Sequence, residues 1–516
     1  MGLLFNKVYY RDYEKLKEEK QQLIEKDRSN QQEIKRLQLA YEIERKEKEH
    51  YQAEVTELEK QIEALKSEVA RLNGIINLDG TNSGTPTSKT PLNKKKVVPN
   101  TRETTDKTRG GQPGHPKAKL NAFQEEEITE DEVHGYERCP ECGGELEETG
   151  ENCKDELDYE VVVIKRRHHF KTYKCKKCGK KISCPIPKNL KEENQYGMHT
   201  QALALCLTNI GNVSMNKVKR VICGLSQGDV YPTDGYIAKL QKRAAMALVA
   251  FKTDLIKRCL KQKIVYWDDT VIFIAAKRAC LRFYGNEKVA LYFAHSHKNK
   301  EGIDEDQILP LLPESAVVMH DHLKVNYNDD YSFQNAECNQ HLLRDLQKVT
   351  DCLGREWSVK LKEHIQQAIH DRNAAEKKGK NAFPFEYVES FMSTLNQILL
   401  QANREHDAQP DGYYYKQEAA LITRIMEYKN NYFAWVSSFE LPITNNLSER
   451  SLRGVKTHMK VSGQFQSEEY AQYYATIMTY IETCRRNGIN EMCALLRLCE
   501  GNPYSVNDIL GYSGAE

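Results

Sequence analysis

The sequence predicts a multidomain α/β protein: an N-terminal coiled coil, a small cysteine-paired ribbon, and an α/β domain interrupted by helices. Three observations predict it. A heptad stripe runs from Ile34 to Ile76. Two C-x-x-C-G knuckles follow, carrying Cys139 and Cys142, then Cys175 and Cys178. Three strand-like segments, a short helical one and a fourth strand then occupy Ile264 to His320, with acids in the first strand and just past the fourth.

Composition sets the bounds. The 516 residues suffice for several domains and a large core. Lys plus Arg number 75 against 74 Asp plus Glu, so net charge names no partner. The start, MGLLFNKVYYRDYEKLKEEK, turns charged before an apolar leader can form, and no window reaches the length of a membrane span. The 15 cysteines are odd in number, which without a leader favours reduced thiols and a metal site over a disulfide framework. We expect a soluble cytoplasmic protein.

Residues 1–76 read as one long polar helix. Its apolar positions Ile34, Leu37, Tyr41, Tyr51, Val55, Leu58, Ile62, Leu65, Val69, Leu72 and Ile76 step by threes and fours, with Glu44 and Lys48 as polar members of the seam. So narrow a stripe on a Glu-, Lys- and Gln-rich helix predicts a self-associating coiled coil, and hence a homo-oligomer; a solvated helix on the same chain is the competing reading. Residues 77–122 lose all period. They are rich in Gly, Thr, Asn, Pro and Lys and contain the turn-forming GGQPGH, so they read as a basic flexible linker able to lie along phosphates.

Residues 123–190 hold the knuckles. Each C-x-x-C-G lets two thiolates converge on one ion, and two matched knuckles predict one structural Zn²⁺ held by Cys139, Cys142, Cys175 and Cys178 on a ribbon of hairpins, with Cys153 and Cys184 as stand-ins. The basic KRRHH stretch between them could face DNA. Residues 191–260 read as helical, with a helix starting after Thr233 or Asp234 in a helix-turn-helix-like or plain bundle arrangement.

Residues 261–465 carry the chemistry. Ile264 to Ile274, Ala279 to Tyr284, Lys288 to His295 and Ala316 to His320 are strand candidates, with a short helix within Gly302 to Leu312. This order is that of RNase H-like domains, in which the first and fourth strands are neighbours and bring their acids together. A third acid is expected on a later helix, where Asn446 or Ser448 caps the start and Glu449 lies in the first turn. A helical insertion spans about 348–441, and 466–516 reads as packing helices.

Motifs spread along the chain make the resemblance specific. RGGQPGH, the paired knuckles, WDDT, MHDHLKVNY, the Cys338, His341, Arg344 spacing of AECNQHLLRDL, and TNNLSERSLR together resemble the insertion sequence 66 family of bacterial transposases. Asp269 stands where that family has Glu, and His322 where it has Gly. The resemblance implies a DDE enzyme: Asp268, Asp321 and Glu449 as catalytic ligands of two Mg²⁺ (or Mn²⁺) about 3.5–4 Å apart, cutting and joining double-stranded DNA. Asp329 and Asp330 are alternatives for the second acid. Arg450, Arg453 and Lys456, with His458 and Lys460, form a basic run beside the third acid, and His341 and Arg344 are supporting residues. It further implies a bacterial, nucleoid-associated protein that binds element ends and target DNA, with accessory element-encoded proteins as further partners. The competing readings are a DNA-binding architectural or regulatory protein that has lost catalysis, and a nuclease without strand transfer. A regular strand sends Asp268 and Asp269 to opposite faces; periodicity does not choose between them, and the motif match chooses Asp268.

Overall fold

The computed structural model describes residues 2–76, 123–187, 189–190, 192–408 and 414–511. The basic segment 77–122, with its GGQPGH turn, lies outside them. In chain order, helix α1 (Gly2–Ile76) precedes a small hairpin, β1 (Thr172–Lys174) and β2 (Lys181–Ser183). Helices α2 (Met198–Asn209), α3 (Met215–Leu225), α4 (Asp234–Ala247) and α5 (Val249–Cys259) follow. Then come β3 (Ile264–Ile274), β4 (Lys277–Gly285), β5 (Ala290–His295), α6 (Lys300–Glu305), β6 (Val317–His320) and β7 (Gln334–Glu337). The remainder is helical: α7 (Asn339–Leu353), α8 (Glu356–Lys377), α9 (Phe385–Asp407), α10 (Tyr415–Tyr432), α11 (Ala434–Ser437), α12 (Asn446–Ser462), α13 (Glu468–Arg486), α14 (Glu491–Glu500) and α15 (Val506–Leu510). No helix among the described residues is long and apolar enough to cross a membrane.

The five-stranded sheet has the order β5-β4-β3-β6-β7. β4 runs antiparallel to both β3 and β5, whereas β6 is parallel to β3 and β7 parallel to β6. The first and fourth strands of the domain are therefore neighbours, as the sequence order led us to expect. The fifth strand, β7, is an addition. Gly285 closes the β4–β5 turn: a Cβ there would fall 2.1 Å from the Val289 carbonyl oxygen, so only glycine fits.

The sheet is covered on both faces. One cluster joins Val265, Trp267 and Tyr284 to α2–α5 (Leu205, Ile222, Leu240, Leu255) and to Tyr480 and Leu495 of α13 and α14. The helix foreseen after Thr233 begins there, and the Thr233 side chain accepts from the Tyr236 N–H. The other cluster joins Ile272, Leu281, Phe283 and Tyr292 to Leu452 and Val455 of α12 and Tyr474 of α13. The free edge of β5 is not left bare. Thr479 Oγ1 accepts from the Tyr292 N–H at 2.9 Å, and Thr483 Oγ1 donates to the Ala290 carbonyl at 3.2 Å.

The chain divides into two compact units; the sheet, α2 to α6 and α11 to α15 belong to the second, and the residues of α7 to α10 are divided between the two. The first unit comprises Met1–Lys95, Arg344–Ile365 and Ser393–Glu427. Within it, α1 is one 75-residue helix whose heptad stripe is exposed in the single chain; Leu58 is 50% and Leu65 65% accessible. Also within it, the wholly buried Glu418 carboxylate accepts from Arg355 Nε at 2.9 Å and Nη2 at 3.1 Å, from Trp357 Nε1 at 2.9 Å and from His406 Nδ1 at 3.0 Å. A buried charge persists only when satisfied in this way.

Candidate active site

β3 alternates as a strand buried on two faces should. Val265 and Trp267 enter one apolar cluster, while Tyr266, Ile272 and Ile274 enter the other. Asp268 therefore shares the face covered by α12, and Asp269 faces the opposite layer. There Lys298 Nζ donates to Asp269 Oδ1 at 2.6 Å, so the second aspartate has its own partner.

Parallel pairing aligns Tyr266 with Met319, and Met319 with Ala336. Two residues further along each strand stand Asp268, Asp321 and Cys338. They form one row, just past the carboxyl ends of β6 and β7 and midway along β3. Met319, Ala336 and Cys338 pack with Tyr266, so Cys338 shares the face of Asp268.

Glu449 reaches this row from the first turn of α12. The cap of that helix is Asn445, not Asn446 or Ser448 as expected. Its side chain does not close the helix end but ties the site together: Nδ2 donates to the Trp267 carbonyl at 2.9 Å and reaches Asp321 Oδ1 at 3.5 Å. Its backbone N–H points at Cys338 Sγ, 3.2 Å away. Asn445 thus joins the strand of Asp268, the carboxylate of Asp321 and the helix of Glu449. His341, near the start of α7, lies between the other two acids, with Nδ1 3.0 Å from Asp321 Oδ1 and Nε2 3.8 Å from Glu449 Oε1.

The carboxylates of the row are buried close together, and this shifts their ionisation. Burial, and then the charge of Asp321, push the Asp268 carboxyl up to about 8. Burial works the same way on Asp321, but His341 and Asn445 more than offset it and leave that carboxyl below its usual range. Burial alone would lower His341; Asp321 and Cys338 beside it raise it to about 11. Glu449 Oε1 is buried without a hydrogen-bond partner. Three carboxylates, one held protonated by burial and by the charge of Asp321 and one with a buried oxygen lacking a hydrogen-bond partner, are hard oxygen donors that fit a divalent cation of the Mg²⁺ class.

Arg450, Arg453, Lys456 and Lys460 are exposed on α12, and Lys456 is close enough to oppose the rise at Asp268. Arg344 lies on α7 one turn beyond His341. Asp329 and Asp330 are exposed, and Asp330 pairs with Lys300 at 2.9 Å, away from the row. His322, where the resemblance has Gly, is held by Glu337: its Nδ1 lies 2.8 Å from Glu337 Oε1, which also accepts from Tyr327 at 2.5 Å.

His458 is a correction to the basic run. It is buried, stacked on Phe465 and Tyr474 at 5.2 and 4.6 Å between ring centroids, and burial lowers it to about 4. The folded protein therefore binds fewer protons here than the unfolded chain between pH about 4 and 6.5. Its contribution is full above 6.5 and is lost as pH falls to about 4, amounting to about 3 kcal/mol. Melting curves of wild type and His458→Gln across that window measure it; wild type should lose stability on acidification by that much more than the variant.

Both knuckles close alike. Gly143 N–H reaches the Cys139 carbonyl at 2.8 Å and Gly179 N–H the Cys175 carbonyl at 2.9 Å, with both glycines at positive φ (73° and 70°). Neighbouring backbone N–H groups lower the Cys139 and Cys175 thiols, which favours the ligating thiolate. Only the second knuckle sits in a hairpin, β1–β2, and the first has no strands around it. Among the described residues the four thiols are not gathered to one point; the one grouping of three metal-ligand types is Asp321, Cys338 and His341.

Two aspartates on neighbouring parallel strands and a glutamate on a later helix, over a mixed sheet, are the arrangement of DDE transposases. The chain belongs to the transposase IS66 family, whose family model matches residues 218–473, from α3 into α13. Comparison with curated proteins finds no match. Among solved structures, the catalytic domain of Mos1 transposase, determined with raltegravir and Mn, is similar over 36% of this chain and 90% of that one, at 11% identity and a TM-score of 0.11.

Proposed function

We propose that this transposase is an active enzyme that binds insertion-sequence ends, cleaves DNA strands there and joins them to target DNA. The observation that carries the reading is the row of Asp268 and Asp321 with Glu449 closing on it from α12. Asp268, Asp321 and Glu449 would hold two Mg²⁺ or Mn²⁺ ions. Such ions, when bound, activate the attacking oxygen and stabilise the leaving oxygen of the phosphodiester. The protein's own part is positioning. β3 and β6 fix two carboxylates by backbone pairing, and Asn445 seats the third. Arg450, Arg453 and Lys456, exposed on the same helix, would hold phosphates, and Arg344 is kept as a supporting residue.

The reading extends to the rest of the chain. The exposed heptad stripe of α1 supports a homo-oligomer through a coiled coil. The matched knuckles support one structural Zn²⁺ on Cys139, Cys142, Cys175 and Cys178, with the residues around them as a DNA-facing ribbon. Residues 191–260 then serve DNA binding, 261–465 catalysis with the helical insertion at about 348–441, and 466–516 packing. The test is strand cleavage and joining on the element's own ends in Mg²⁺ or Mn²⁺. Product 3′-OH ends should become joined to target DNA, and chelation should abolish both steps. Cleavage without joining would favour a nuclease, and salt-sensitive DNA binding without either step an architectural protein.

A further inference from the structure

The row of Asp268 and Asp321 does not stop at the two aspartates. Its third member is Cys338, a thiol beside the second acid. The Cys338 N–H donates to the His320 carbonyl at 3.0 Å, which carries the β6–β7 ladder one step further and sets Cys338 alongside Asp321. Cys338 immediately precedes α7, a 15-residue helix, and its Sγ receives the Asn445 backbone N–H at 3.2 Å. His341 follows one turn later, 3.0 Å from Asp321 Oδ1. Ligand atoms of all three residues lie within 4.8 Å of one another. Cys338 is buried, but the His341 and Asp321 side chains are 35% and 25% exposed, so an ion can arrive from solvent on their side.

A sulfur, an imidazole nitrogen and one carboxylate are not a Mg²⁺ donor set; they are what Zn²⁺ prefers, with a fourth position open. We propose that Asp321, Cys338 and His341 form a Zn²⁺ site that shares Asp321 with the hard-cation site of Asp268 and Glu449. Binding releases the thiol proton to solvent and commits Asp321 to the soft ion. Zn²⁺ then silences the Mg²⁺-dependent reaction by taking one of its ligands. This second consequence rests on the function proposed above, whereas the binding does not.

The test is a calorimetric titration of Zn²⁺ into full-length protein whose tighter zinc sites are already filled and from which free metal has been removed. Wild type should show one further equivalent. Cys338→Ser should weaken it by about tenfold or more, since even outer-shell changes cost that much. His341→Gln removes a different ligand and should do the same. Circular dichroism melts show which variant is folded, and either one suffices. In strand-cleavage assays in Mg²⁺, Zn²⁺ should inhibit wild type, and the inhibiting concentration should rise by the same factor in Cys338→Ser. Absence of the further equivalent, or an unchanged affinity in the folded variants, overturns the site. Binding without inhibition of an active enzyme overturns the sharing of Asp321. A protein that binds the extra Zn²⁺ but cuts no DNA keeps the site and loses the proposed function instead.

Discussion

Asp268→Asn should lower DNA strand cleavage by about 10³-fold or more, while Asp269→Asn, one residue away, should stay within about tenfold of wild type. The two side chains are chemically identical and differ only in the face of β3 they take. Asp268 lies in the row with Asp321, under the helix that brings Glu449. Asp269 is spent on Lys298, 2.6 Å away in the other layer. Replacing Asp268 by its amide keeps its volume and removes the charge that would hold cations, so lost binding of several kcal/mol in the transition state appears directly in rate. The measurement is single-turnover cleavage of an end-sequence duplex in saturating Mg²⁺. Equal losses in the two variants would mean that the strand does not present these residues as its pairing register implies.

Glu418→Ala should be the most destabilising single change in the first unit, by about 3–5 kcal/mol. The carboxylate is wholly buried and accepts from Arg355, Trp357 and His406. Removing it leaves a guanidinium, an indole N–H and an imidazole facing a cavity, and an uncompensated buried charge is far worse than an absent pair. Glu418→Gln keeps acceptors for some of these donors and should lose less. Helical melting followed by circular dichroism compares them. A melting point for Glu418→Ala equal to that of wild type would show the network to be dispensable.

Much of this was legible in the sequence because it is carried by periodicity. β3, β4, β5 and β6 announce themselves by β-branched and aromatic runs, and the acids stand out against them. β7 does not: Gln334-Asn-Ala-Glu337 has no apolar alternation and is a strand only because β6 offers it a parallel edge. The partner of Asp269 was hidden because Lys298 is 29 residues away, on a segment with no pattern of its own. His458 read as one more cation in a basic run, yet helical geometry turns it inward between Phe465 and Tyr474. Asn445 could be read only as part of a motif; its two long-range bonds, to Trp267 and Asp321, exist only once the helix has docked on the sheet.

The distances in sequence between the three acids also set an order in time. Asp268 and Asp321 can become neighbours as soon as β6 pairs with β3, but Glu449 joins them only after α12 has been made. α12 is then held by the return of the chain at Phe465, whose N–H bonds to the Phe273 carbonyl at 2.8 Å. A ribosome must therefore have made α12 before the three carboxylates can meet. α2 to α5 are synthesised before β3 but share their core with β3, β4, α13 and α14, so a prematurely ended chain lacks both that core's later members and a complete acidic site.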